Sequence, residues 1–498
     1  MMTGMSNRYL TMMMWVLFLP IFESRPLLKK EPKPTGALKL QINQRGLTYA
    51  KNVVMEMLLS QLKEQPIPDQ RGSYNVPSLG EVSMWFSNTR IIQLQADDSV
   101  AYFDKGTGVR LAVQNAQVVF NSNWKIKHFF GQDNGIVQTN VSSISLSVLL
   151  GLDVDSAGRP LLQSISCLAE VDDFELTFSG PNSYLYNLIA QTFKKALISD
   201  LNQEVCTEVR KSLHYFSQTW KYRNFWAQID PVAGIDYSLV SKPEIDEDRC
   251  NLDFKGEFFL MGQRQRSPLV PTPIILPHES RSMVAIGVSD VLVNSAAFVY
   301  FAGNTLRAKY TDEMIPKRSP FRLNTQSIGY FVPELRRQFP EMPIELHLEA
   351  QQEPKLHFHH GGLDAIVLGR VETFVVLPNS SLVPVFTLNI ECNFTGHIFL
   401  EGVGSGESFA KVGGSVALQG LRLSQEWSRI GEIQLSPLET VLKIAGHVAL
   451  ARHNKKLRAG KLLPSFYGAS LVDPEVSMHE GYMLIKTDLR FSLPNSVP

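Results

Sequence analysis

The stretch from Val141 to Val209 constrains the fold more than any other, because its hydrophobic period changes from that of a strand to that of a helix. Between Val141 and Asp155, Ile144, Leu146, Val148, Leu150, Leu152 and Val154 alternate with Ser143, Ser145, Ser147 and Asp153, the two-residue period of a strand with one wet face. Cys167 follows just beyond. From Ser183 to Leu213 the residues Leu185, Leu188, Ile189, Phe193, Ala196, Leu197, Leu201, Val205 and Val209 share one helical stripe, and Cys206 sits in that helix. We pair Cys167 with Cys206. The bridge closes a loop of about forty residues and, in the chain-entropy model, stabilises by roughly 4 kcal/mol while pinning helix to sheet. An apolar helix clamped onto a sheet predicts an apolar interior.

Residues 1–24 read as an export signal: Arg8, then an apolar run from Leu10 to Phe22, then Glu23, Ser24 and Arg25. That run is shorter than the roughly twenty residues that span a bilayer. No later stretch is long and apolar enough to span one either. The mature chain is therefore expected to be secreted and soluble, with peripheral membrane contact only. Three acceptor sequons, at Asn140, Asn379 and Asn393, suit an exported glycoprotein. Cys250 and Cys392 lie in different halves of the chain; buried free thiols are the plain reading, and a bridge between the two or, more rarely, an intermolecular bridge are the alternatives.

The chain carries 48 basic and 48 acidic residues. From Gly36 to Gly262 there are 20 basic against 25 acidic residues, and from Gln263 to Pro498 there are 23 against 21. Neither half has the strong positive field of a nucleic-acid binder or a cationic membrane-disrupting protein, so nucleic acid is not an expected partner.

A helix is predicted over Asn43–Lys63, with Leu47, Ala50, Val54, Met57, Leu58 and Leu62 on one stripe. Strands dominate from Glu81 to Phe178, with turns at Asp104–Gly106 and Asp155–Gly158. Arg264–Pro277 holds four prolines in fourteen residues and can be neither regular helix nor central strand. We read 36–262 as one half, 263–277 as a proline-rich linker and 278–498 as the other half. The second half repeats the ingredients: short helices near Ser295–Leu306 and Pro333–Phe339, alternating strands at Ile344–Leu348 and Leu356–Phe358, a longer helix at Leu438–Leu457, and a closing strand from Met483 to Phe491. Two pseudo-equivalent halves follow from length and element order.

No catalytic set emerges, and no metal site. Gly402–Gly406 lacks nucleophile-elbow spacing and a phosphate-loop lysine, and reads as a glycine-rich hairpin. His357 and His359 alternate with Leu356 and Phe358, and His347 lies between Glu345 and Glu349; this is the wet face of strands rather than a zinc geometry. Arg452, Lys455, Lys456, Arg458 and Lys461 close a helix and complement its dipole. Trp124-Lys125-Ile126-Lys127-His128-Phe129-Phe130 fits two readings: a surface that holds phosphate by charge and acyl chains by apolar contact, or a strand entering a sheet with lysines outside.

The signal, the Asn43–Lys63 helix, the cysteine pair, the proline segment and two equal halves together resemble the bactericidal/permeability-increasing and lipopolysaccharide-binding protein family. Ile235–Leu239, Phe254–Phe258, Met314–Lys317 followed by Phe321–Leu323, and Val375–Leu382 carry the likeness in detail. The resemblance implies an α+β fold: two pseudo-symmetric barrels of twisted antiparallel sheet with long amphipathic helices, joined by a central β-sheet into a boomerang. It implies no catalysis and no cofactor beyond bound phospholipid in each lumen, with Val54, Met57, Leu58, Leu188, Ile189 and Phe193 as lumen candidates. It also implies innate-immune binding of lipopolysaccharide or another anionic lipid through a basic tip, here Trp124, Lys125, Lys127 and His128. His128 stands where a stronger base is usual, which implies weaker, pH-sensitive binding. The alternative is a phospholipid or neutral-lipid transfer protein without a pathogen role.

Overall fold

The chain enters its first strand, β1 (Leu38–Asn43), and turns directly into helix α1 (Gln44–Glu64). Asn43 makes that switch, its Oδ1 accepting the otherwise orphaned N–H groups of Arg45 and Gly46, each at 3.1 Å. The structure is a computed structural model that describes residues 34–64, 67–76, 80–221, 223–278, 281–315, 321–401, 410–462 and 469–491. The export signal and the Gly402–Gly406 hairpin lie outside the described residues. From Thr35 onward the described residues belong to one compact unit.

After α1 come β2 (Gln70–Val76), β3 (Gly80–Gln95), β4 (Asp98–Asp104), β5 (Gly108–His128), β6 (Gly131–Val154) and β7 (Pro160–Ser179), then helix α2 (Ser183–Lys221). The strands form one antiparallel sheet in the order β2-β3-β5-β6-β7, with β4 pairing β5. β5 and β6 run 21 and 24 residues, and the sheet curls because bulges interrupt them. Asn88, Asn115 and Ser143 sit with φ of 52°, 53° and 53° where the pairing register skips. Each inserts an extra residue, bending the strand and increasing its twist. At the skip at Leu149/Leu150, where β7 carries the extra residue, Val148 and Leu149 are both buried, a local departure from the alternation predicted from Ile144 to Val154.

α2 closes this half over the exposed edge of β7. Asn187 donates to Phe178 O and accepts from its N–H, at 3.2 and 2.7 Å, and Asn202 accepts the Val171 N–H at 2.9 Å. Side-chain amides thus satisfy an edge strand that would otherwise present unpaired backbone groups. Cys167 and Cys206 are joined as a disulfide across this contact, 39 residues apart in sequence. The helix runs eight residues past the predicted Leu213, since His214–Lys221 contains no breaker.

Next come β8 (Trp226–Gln228), β9 (Ala233–Asp236), β10 (Glu244–Ile245), β11 (Arg249–Phe254), β12 (Glu257–Leu260), β13 (Val284–Ser289) and helix α3 (Asp290–Ala302). β14 (Arg307–Tyr310), the short helices α4 (Thr325–Ile328) and α5 (Pro333–Gln338), and β15 (Ile344–Ala350), β16 (Lys355–His359), β17 (Gly362–Val376), β18 (Leu382–Glu401) and β19 (Lys411–Ser428) follow. Helix α6 (Leu435–Ala459), β20 (Lys461–Leu462), β21 (Ala469–His479) and β22 (Tyr482–Phe491) end the described chain. The C-terminal sheet has the order β14-β15-β17-β18-β19-β20, with β16 pairing β17. α6 docks on it as α2 docks on β7: Asn454 bonds both the N–H and the carbonyl of Val416 at 2.8 Å, and Glu439 accepts the Leu423 N–H at 2.8 Å.

A six-stranded sheet, β10-β11-β1-β13-β22-β21, takes strands from both sides of the proline-rich segment. Its seam is the antiparallel pairing of β1 with β13, Leu40 opposite Ile286. The segment 263–277 has no strand or helix beyond an isolated bridge at Arg266, yet it does not hang free. Ile274 and Leu276 are buried against Ala285 and Leu484, and the carbonyls of Pro271, Ile275 and Pro277 accept from Thr35, Tyr482 and Gln41. Proline suits such a strap, which gives carbonyls to its neighbours and is asked for few N–H donors.

Candidate functional site

The β5–β6 turn lies at the end of the N-terminal sheet away from the central sheet, and strand alternation sorts its residues. Trp124 and Ile126 point inward, whereas Lys125 and Lys127 are exposed. Trp124 is only 1 % exposed; its ring packs against Phe178 and Tyr186 at 5.4 and 5.0 Å, and its indole N–H donates to Ser179 O at 3.2 Å. Trp124 is therefore corrected from a surface contact to the core of the tip. Gly135, its cross-strand partner, permits this, because a Cβ there would lie 2.0 Å from Ser179 O and 3.0 Å from the indole nitrogen. The exposed apolar surface comes instead from Phe129 and Phe130, 86 % and 71 % exposed, stacked edge to face at 5.3 Å.

Asp133 holds the turn to α2. Its carboxylate accepts from the Tyr186 hydroxyl at 2.6 Å and from Asn182 Nδ2 at 3.1 Å. These bonds, led by that from Tyr186, keep the acid below the ordinary carboxylate range, and burial with the Asp133 bond drives the Tyr186 phenol up. His128 lies between, with Nε2 3.8 Å from Asp133 and Nδ1 accepting the Phe130 N–H at 3.2 Å.

The second feature is apolar helix surface that the sheets leave uncovered. On α1, Val54 and Leu58 are 49 % and 45 % exposed one turn apart, Leu62 continues the stripe, and Met57 is half-buried. On α2, Leu188 is exposed and Ile189 half-buried, while the side chain of Phe193 lies outside the described ones. α6 repeats the pattern. Glu439 and Asn454 face β19, and Ile444 and Val448, each about 160° around the helix from Gly446, are exposed. Sequence reading placed this helix without naming those two residues; their i, i+4 spacing with polar neighbours was the available signal.

The remaining candidates fall elsewhere. Asn379 is exposed on the β17–β18 turn, its Oδ1 held by Ser381. Asn140 and Asn393 lie within β6 and β18; Asn140 accepts from Gln117 at 3.0 Å, and Asn393 Oδ1 is buried beside Gly420. Cys250 is buried, its thiol pushed up to about 12 by desolvation, and Cys392 is half-buried; neither is bridged. His347 bonds Glu345 at 2.6 Å, while His357 bonds Asp290 at 3.1 Å and Glu480 at 2.8 Å. Among the described residues no three His, Cys, Asp or Glu side chains are grouped to hold a metal ion, and no helix is long and apolar enough to cross a membrane.

Two family models match, the N-terminal domain of the LBP / BPI / CETP family over residues 46–216 and its C-terminal domain over residues 227–491. The chain is 30 % identical to a bactericidal permeability-increasing protein of Sebastes schlegelii, covering 91 % of this chain and 95 % of that one. It is 29 % identical to the lipopolysaccharide-binding protein of Homo sapiens, covering 93 % and 96 %. A crystal structure of lipopolysaccharide binding protein superposes with a TM-score of 0.55 at 25 % identity, covering 92 % of this chain and 99 % of that one. Two curled sheets clamped by helices and joined through a shared sheet, together with models matching both halves, show that this chain belongs to the LBP / BPI / CETP family.

Proposed function

We propose that the protein is a secreted lipid binder that shelters phospholipid acyl chains along the open apolar faces of its helices and meets anionic lipid, lipopolysaccharide included, through the β5–β6 tip. The family is one of lipid-binding and lipid-transfer proteins rather than enzymes. The observation that carries the reading is the uncovered stripe of Val54, Leu58 and Leu62, repeated as Ile444 and Val448 in the other half. A soluble chain gains by covering such stripes, and each acyl methylene removed from water there contributes about 0.8 kcal/mol. Retention then needs no charged anchor within the fold. An innate-immune role follows as part of the proposal from the names of the relatives.

The tip supplies surface contact of a different kind. Two exposed aromatic rings flanked by Lys125 and Lys127 combine apolar insertion with attraction to phosphate. Co-sedimentation with vesicles containing lipid A tests it. The Lys125→Ala/Lys127→Ala and Phe129→Ser/Phe130→Ser pairs should each lower the bound fraction, and binding unchanged in both would end the tip assignment.

A further inference from the structure

We propose that the C-terminal half selects a phospholipid with an anionic head group, its acyl chain along the Ile444–Val448 face of α6 and its phosphate held by Arg452 and Lys455. The inference rests on the reading of that face as acyl-chain cover and adds to it the class of head group. Retention along the stripe needs no charge, so the two cations set which lipid stays rather than whether one does.

The placement follows from helical geometry. At about 100° per residue, Lys455 lies about 20° from both Ile444 and Val448 seen down the axis, and Arg452 about 40° beyond Val448. Both cations are exposed, and Arg452 stands about 6 Å along the axis from Val448. One open face of the helix is thus apolar first and cationic next, the order of an acyl chain and its phosphate. The helix dipole does not account for the pair. It amounts to about half a negative charge and fades within the last turn, where Lys456 and Arg458 already stand. Arg452 and Lys455 lie before that turn, while Lys461 and Lys411 add charge beside it on the paired strands β20 and β19. Glu401 stands cross-strand from Lys411. Among the described residues no carboxylate forms an ion pair with Arg452, Lys455, Lys456, Arg458 or Lys461. α1 has no such continuation of its stripe: its last turn holds Lys63 alone, about 140° around the helix from Leu58. The N-terminal half is therefore expected to be indifferent to head-group charge.

The whole chain is incubated with vesicles of equal parts phosphatidylglycerol and phosphatidylcholine, separated from them by flotation, and its bound lipid counted by mass spectrometry. Arg452→Gln/Lys455→Gln should lower the bound ratio of phosphatidylglycerol to phosphatidylcholine about fivefold or more, with total lipid unchanged. Lys456→Gln/Arg458→Gln removes the same charge from the dipole positions and should keep the ratio within about twofold of wild type. An unaltered ratio in the first variant would overturn the proposal. So would an equal fall in both, which reports a diffuse field rather than a head-group site. The wild-type ratio, which needs no substitution to fold, should move toward equal amounts as salt is raised, and a ratio indifferent to salt would count against the cations. Lipid absent from wild type and both variants would instead sink the acyl-cover reading itself.

Discussion

Trp124 and Lys125 are neighbours in β5, and the pleat sends one side chain into the fold and the other into water. Trp124 fills the space between Phe178 and Tyr186, so Trp124→Ala should cost about 3–5 kcal/mol in chemical denaturation. Lys125→Ala with Lys127→Ala should stay within roughly 0.5 kcal/mol of wild type, since both are exposed without a packed partner role. The alternation itself was legible in Trp124-Lys125-Ile126-Lys127. What a linear reading could not supply was Gly135 opposite the indole, which makes room for the ring, and the turn that throws Phe129 and Phe130 outward.

His357 shows a different residue-scale device. Both ring nitrogens face carboxylates, Asp290 and Glu480, and the bonds to Glu480 and then Asp290 raise its pKa above the usual 6.5. The stabilisation is therefore fully present below about pH 6.5 and is lost as pH rises through the raised folded value. A half-exposed ring makes the effect modest. The difference in melting temperature between wild type and His357→Gln should be largest in mild acid and shrink toward alkaline pH; a difference that grows with pH would contradict the clamp.

At the scale of elements, periodicity located α1 and α6 to within three residues and the start of α2, whose C-terminus runs eight residues further, because each carries an apolar stripe at helical spacing. Strand lengths were harder. β5 and β6 exceed 20 residues because bulges let one strand bend round the interior, and a bulge appears in sequence only as an Asn or Ser among strand formers. Asn115 is a clear case: its φ of 53° suits Asn or Gly, so Asn115→Gly should be near neutral. Asn115→Val should cost about 1–2 kcal/mol, measured by thermal or urea unfolding. The Cys167–Cys206 bridge ties α2 to β7 across a 39-residue separation. Its removal by paired serines should cost about 2–4 kcal/mol and should raise hydrogen exchange in α2 ahead of β6.

For the whole molecule, the central sheet explains why two similar halves act as one unit. β1, β10 and β11 come before the proline-rich segment and β13, β21 and β22 after it, so neither half completes the sheet alone. The proline count identified the segment but not its place, since burial of Ile274 and Leu276 depends on Leu484 of β22, more than 200 residues further along the chain, as well as on Ala285 of β13. The open apolar faces were legible as stripes; that the sheets leave them uncovered was not, because a stripe reads alike whether it meets protein or lipid. Composition alone could not separate a packed core from a lumen.

The most direct measurement is the lipid content of the protein itself, expressed through a secretory route, purified without detergent, extracted with organic solvent and assayed by mass spectrometry. Two apolar faces, one in each half, predict about two phospholipids per chain, lowered more by Met57→Asp than by Glu56→Gln. Protein that is folded and carries no lipid would contradict the central claim, and would leave the exposed stripes of α1 and α6 without an occupant.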